Sequence, residues 1–201
     1  MLAFVIFVFA VAGMIKGTIG LGLPAVSMGL LSLVISPFQA ATLLIIPTMV
    51  TNFWQLFAEG RVLRLVKRFW PLLVGMIIGS VWSVFPTLGH GEFQSEALLG
   101  GMLAIYGLYG LFAKNMPNLA PYEKYLSPIM GYLGGALTVA TGVVVIHVVP
   151  YLQSLHLTRT DLVPSLGLAF TVSTFCFAVY LHLTPVEDTP LAYQLSLIAL
   201  L

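Results

Sequence analysis

Long intervals without a single charge constrain this chain before anything else does. No Lys, Arg, Asp or Glu occurs over residues 17–58, 69–91, 97–113, 125–158 or 162–186. Intervals of about 20 apolar residues match the hydrocarbon thickness of a bilayer. A soluble domain carries about 25% charged residues, whereas here 7% of side chains are charged and 59% are hydrophobic. The mean hydropathy of +1.03 agrees. An all-α, multi-pass membrane protein is therefore expected.

Other global features exclude more than they assign. A net charge of +1 gives no basic surface for nucleic acid. The lone Cys176 rules out a disulfide framework. The opening "MLAFVIFVFAVAG" has no basic residue before its apolar run, so it reads as part of the mature fold and not as a secretory signal. At the other end, "TPLAYQLSLIALL" (189–201) is about half a span, and the sequence is expected to stop short of its last span.

Four segments read as simple spans: Gln39 to Phe57, Phe69 to Thr87, Glu96 to Lys114 and Leu162 to Leu183. Arg61, Arg64, Lys67 and Arg68 crowd one loop, and Lys114 and Lys124 flank another two spans later. The loop between, "GHGEFQSE", has acids and no Lys or Arg. The positive-inside rule puts both basic loops in the cytoplasm and the acidic one outside. The basic cluster is chiefly an orientation signal, with contact to anionic membrane lipids as an additional role. Trp54, Trp70, Tyr122 and Tyr125 read as interfacial belt residues.

Two segments, Leu2 to Ile35 and Tyr125 to Leu157, are each about 33 residues, too long for one span and too short for two. Both have Gly-rich centres, "GTIGLGLP" (17–24) and "TVATGVVVIHVVP" (138–150). They also match one another at an offset of 122, with nine identities in the 41 positions from 13 to 53. Gly13, Gly20, Ser32 and Phe53, for example, recur as Gly135, Gly142, Ser154 and Phe175. If each segment returns to the side it enters, Arg159 stays in the cytoplasm. The chain then divides into two halves, 1–120 and 121–201, of opposite orientation. That is the inverted-repeat plan of secondary transporters. Broken backbone at membrane depth is tolerated only where protein or water covers it. Half-helix N-termini bring partial positive charge and free N–H donors, which suit an anion. The competing reading is that the glycines only let helices pack closely.

The candidate site residues follow from the breaks. Lys16 is the only formal charge before Glu59. A membrane-buried cation is costly and usually functional, unless it snorkels to the interface. Gly17, Thr18, Gly20 and Gly22 belong to the first break, and Thr141, Gly142, His147 and Gln153 to the second. Thr51 and Asn52 on the following helix align with Ser173 and Thr174. These side chains can donate to an anion or tie neighbouring helices together. His147 suits proton coupling or a structural role. There is no HExxH, no intramembrane carboxylate pair and no GxSxG, and His147 and His156 lack a third ligand. No enzyme activity, metal or cofactor is expected.

The stretches "GMIKGTIGLGLPAVSMGLLSL" (13–33), "AATLLIIPTMVTNFWQ" (40–55) and "GALTVATGVVVIHVVPYLQSLHLTRTDLVPSLGLAFTVST" (135–174) resemble the sulfite exporter TauE/SafE family of membrane permeases. That family's pattern is a Gly-rich GxxG break followed by an apolar run, once in each half. The first break departs from the family's glycine run at Leu21 and Leu23. The resemblance implies transport of small anions, often sulfite, sulfonates or related sulfur compounds, generally as exporters. A secondary transporter working by alternating access is the leading reading. A passive anion channel and a non-transporting membrane scaffold are the alternatives. Direction, coupling ion (the proton included) and assembly into a homo-oligomer stay open.

Overall fold

Both long apolar segments are broken where their glycines fall. In the computed structural model, which describes residues 2–85, 92–112, 117–143 and 145–183, the first is split into α1 (Leu2–Ile19) and α2 (Leu23–Leu31). Gly20 and Gly22 take φ of 78° and 100°, a left-handed backbone that glycine adopts without a Cβ clash. Pro24, in the first turn of α2, has no N–H to leave unpaired there. After α3 (Pro37–Phe57), α4 (Val62–Val81) and α5 (Glu92–Phe112), a 3-10 turn (Ala120–Tyr122) leads into the second broken segment. That segment is α6 (Glu123–Thr141) and α7 (Val145–Ser154), with Gly142 at φ 73° between them; α8 (Arg159–Leu183) follows. Among the described residues every regular element is helical.

The offset of 122 carries one set of boundaries onto the other. Ile19 maps to Thr141 at a helix end, while Leu23 maps to Val145 and Pro37 to Arg159 at helix starts. Each broken helix also closes in the same way. Gly20 N–H donates to the Lys16 carbonyl at 2.7 Å, and Gly142 N–H to the Thr138 carbonyl at 2.7 Å.

Contacts fix how the helices run. Leu119 N–H donates to the Ser154 carbonyl and the Tyr151 hydroxyl meets Ser127 Oγ at 2.7 Å, so α7 leads back toward the start of α6. Helices α3 and α8 are antiparallel. Asn52 meets Thr174, whereas Gln55 further along α3 meets Val163 further back along α8. Arg61 pairs with Asp161 at 3.2 Å and Arg68 grips Glu123 with two bonds of 2.7 and 2.8 Å, which gathers the starts of α4, α6 and α8 at one end. Both arginines are partly exposed, so each pair contributes at most about 1 kcal/mol.

Two of the four simple spans, α3 and α8, are long and apolar enough to cross a membrane; shorter apolar stretches lie at Ala3–Thr18 and Ala97–Leu111. The span expected from Phe69 to Thr87 starts earlier and stops sooner. Its helix begins at Val62, placing Arg64, Lys67 and Arg68 inside α4, and it ends at Val81. Ser83 breaks it by donating to the Ala136 carbonyl and accepting from Phe85 N–H. The acidic loop expected over 89–96 is helical from Glu92 onward, where α5 begins; residues 86–91, Lys114, Glu187, Asp188 and the 189–201 half-span lie outside the described residues.

The tightest seam joins α4 to α6, which run parallel. A Cβ added at Gly75, Gly79, Gly131 or Gly135 would land on the carbonyl oxygen of Pro128, Tyr132, Leu72 or Met76 respectively. These glycines serve backbone contact, as small residues do between membrane helices. Gly135→Leu should therefore abolish monodisperse protein after detergent extraction, or lower its unfolding midpoint sharply. Gly13→Ala, at the matched position with nothing within 4 Å of a new Cβ, should be tolerated. Size-exclusion profiles and thermal melts of the two variants check this.

Candidate functional site

Lys16 lies one turn before the end of α1, and its side chain turns inward onto α3. Its ammonium donates to Thr51 Oγ1 at 2.8 Å and to Asn52 Oδ1 at 2.5 Å. Lys16 is 8% exposed and Asn52 0%. Among the described residues no carboxylate forms an ion pair with it. An ammonium carries three donors, so one N–H is left without an acceptor among the described residues. Hydrogen bonds to a charged group contribute about 1.5–3 kcal/mol each. Burying an unpaired ion costs several kcal/mol, so the two bonds offset only part of that cost.

Asn52 connects the halves. Its Nδ2 donates to Thr174 Oγ1 at 3.4 Å, and the two positions differ by 122. On the far side, Thr138 and Ser173 share a hydrogen bond of 2.9 Å. Thr138 is the repeat mate of Lys16, and Ser173 that of Thr51. The same helix-to-helix bond is thus made twice, once with an ammonium and once with a hydroxyl. Thr48 Oγ1, also buried nearby, has no partner among the described residues.

Two spaces flank this polar centre. Lys16, Thr51 and Gln55 line an open groove of about 1080 Å³ between α1 and α3, with Gly13, Gly17 and Gly20 forming one wall. Thr48, Thr138, Gly142, Ser173 and Thr174 line a far smaller cavity of about 20 Å³ on the other side. The small cavity has room for about one water.

The two breaks are satisfied in different ways. Gln55 Nε2 donates to the Gly20 carbonyl at 3.2 Å and to the Val163 carbonyl at 3.1 Å. In the second break Thr141 Oγ1 donates to the Leu137 carbonyl and accepts from Val143 N–H at 3.2 Å. Gly22 caps α2 and its carbonyl accepts from Val26 N–H.

The profile of the sulfite exporter TauE/SafE family matches residues 5–201. The chain belongs to this family. Searches among curated proteins and among solved structures give no match. TauE/SafE proteins are membrane transporters, not enzymes, and the apolar spans of this TauE/SafE chain are thereby those of a membrane protein.

The predicted site residues divide on geometry. Lys16, Thr51, Asn52, Ser173 and Thr174 converge where α3 and α8 cross, with Gly17, Gly20 and Gly142 beside them. Thr18 does not join them. It is exposed, and its hydroxyl is spent on the Met14 and Ile15 carbonyls of its own helix. Residues two apart on a helix point to different faces, so a site that includes Lys16 leaves Thr18 out. Gln153 lies eight residues beyond the start of α7, about 12 Å from the break by helical rise. His147 is packed against α6, where a Cβ at Gly134 would meet its Nε2 at 3.1 Å. Neither ring nitrogen has a partner among the described residues. Thr138, Thr48 and Gln55 were not anticipated. The repeat offset applied to Lys16 identifies Thr138 directly, and the 3.6-residue period places Thr48 and Gln55 on the face of Thr51 and Asn52.

Removing one partner of a buried charge costs more than removing both. Asn52→Leu should destabilise this TauE/SafE protein by about 3 kcal/mol, and Lys16→Met combined with Asn52→Leu should recover much of that loss. Chemical or thermal unfolding of the single and double variants in detergent measures it.

Proposed function

We propose that the chain is a multi-pass secondary transporter of the cell (inner or plasma) membrane. It moves small anions, namely sulfite, organosulfonates or related sulfur compounds, by alternating access between two inverted halves, 1–120 and 121–201. The observation that carries this reading is Lys16, a buried cation held between neutral oxygens with no carboxylate partner among the described residues. An entering anion would complete its coordination and balance its charge. Membership of the family supplies the chemical class.

The repeat supports the mechanism. Two like units meeting in antiparallel fashion at matched residues, Asn52 and Thr174, are what a two-fold axis in the membrane plane produces. On this reading both broken segments are re-entrant, with the basic loops and Arg159 on the cytoplasmic side. The small cavity of about 20 Å³ cannot hold an SO₃ group with its four heavy atoms. The halves must therefore shift before an anion can be enclosed by both.

In proteoliposomes, the protein should catalyse saturable sulfite uptake that is accelerated by sulfite on the opposite side. Lys16→Gln should weaken apparent affinity by about ten- to a hundredfold at equal inserted amount, and Lys16→Arg should lose less. Non-saturable flux without counterflow would assign a passive channel instead.

His147 is the candidate proton carrier, being a titratable side chain in the first turn of α7 with neither nitrogen partnered among the described residues. The groups beside it at Gly134 are Val148 and Met76, which carry no charge. His147→Gln should flatten the pH dependence of transport. A profile identical to wild type leaves the imidazole a packing role only.

A further inference from the structure

Repeat-equivalent places in the two halves differ in charge by one. Lys16 and Thr138 sit at matched positions, each one turn before its break and each bonded to the matched hydroxyl on the next long helix, Thr51 or Ser173. Only Lys16 is a cation. The other polar side chains at the crossing, Thr48, Thr51, Asn52, Ser173 and Thr174, are all neutral. Among the described residues the two carboxylates that form ion pairs, Asp161 and Glu123, lie at the end marked by Arg61 and Arg68 and not here.

We propose that this one-cation site selects singly charged oxyanions, such as organosulfonates and bisulfite, over doubly charged ones such as sulfate, and that position 138 sets this preference. The inference rests on Lys16 being the cation that meets the substrate. A monoanion beside one ammonium leaves the buried site neutral overall. A dianion leaves one uncompensated negative charge in an apolar surrounding, and hydroxyl dipoles replace only part of its lost hydration. Shape does not separate the two classes. Methanesulfonate and sulfate both present three oxygens on one sulfur face, so hydroxyls and an amide can meet either. Charge count is the remaining discriminator. A second ammonium at position 138 would face the same crossing from the opposite half and neutralise a dianion.

The test uses the purified full chain in detergent, with sodium methanesulfonate and sodium sulfate as probes at matched ionic strength. Binding is read by calorimetry, and folding is checked by thermal melt. Wild type should bind methanesulfonate at least about tenfold more tightly than sulfate. Thr138→Lys should move that ratio toward sulfate by about tenfold or more. If Thr138→Lys does not fold, Ser173→Lys places a cation at the neighbouring position and should shift the ratio the same way; the wild-type ratio needs no variant. Equal affinity for the two probes in wild type, with Lys16→Gln weakening both, would overturn charge selection while leaving Lys16 in the site. Binding of neither probe, or binding unchanged in Lys16→Gln, would overturn the assignment of Lys16 and the inference together.

Discussion

An ammonium buried among apolar helices, with no carboxylate partner among the described residues, is the feature around which the rest of this chain is arranged. It requires oxygen ligands at a fixed distance, and α3 supplies two from adjacent residues, Thr51 and Asn52. Asn52 can keep its carbonyl oxygen toward Lys16 only because its amide nitrogen finds Thr174 on α8. The orientation of one amide therefore depends on the crossing of two long helices, which depends in turn on Gly167 letting the backbones of α3 and α8 approach. A residue any larger there would press on the backbone of Gln55 and Leu56.

The broken helices answer a second demand, that every backbone polar group at depth find a partner. The two breaks meet it differently. The first borrows a side chain from another element, since Gln55 reaches the Gly20 carbonyl across the gap. The second is self-sufficient, with Thr141 serving its own turn. The repeat mate of Gln55 is Phe177, which has no amide to lend. The polar, adaptable break and the cation thus lie in one half, and the better-packed, neutral break in the other.

Much of this was legible in the sequence, because apolar length, glycine clusters and a charge-free interval each have one dominant physical cause. Charge-free runs gave the helices, and the excess length of two of them gave the breaks at Gly20–Gly22 and Gly142. Alignment of the halves makes Asn52 and Thr174 repeat equivalents, and the fold adds that these equivalents touch. What sequence position alone could not resolve was the direction of short side chains. Thr18 and Gln153 have the right chemistry and the wrong azimuth or depth. A threonine can also satisfy itself on its own helix carbonyl, as Thr18 does, so its presence near a break says little. The ends of α4 were misjudged because hydropathy rejects Arg64, Lys67 and Arg68. A helix end accommodates such residues by carrying them out of the apolar zone.

The glycine seam between α4 and α6 has a mechanical consequence. Where side chains interdigitate, two helices can trade one set of rotamers for another and slide by a turn. Where backbone rests on backbone, as at Gly79 on Tyr132 and Gly135 on Met76, there are no rotamers to exchange. The seam also crosses from the first half of the chain to the second, and Gly167 on Gln55 and Leu56 makes a second backbone contact of this kind between α8 and α3. Any displacement of one half against the other therefore has to turn about these two glycine contacts and cannot slide along them.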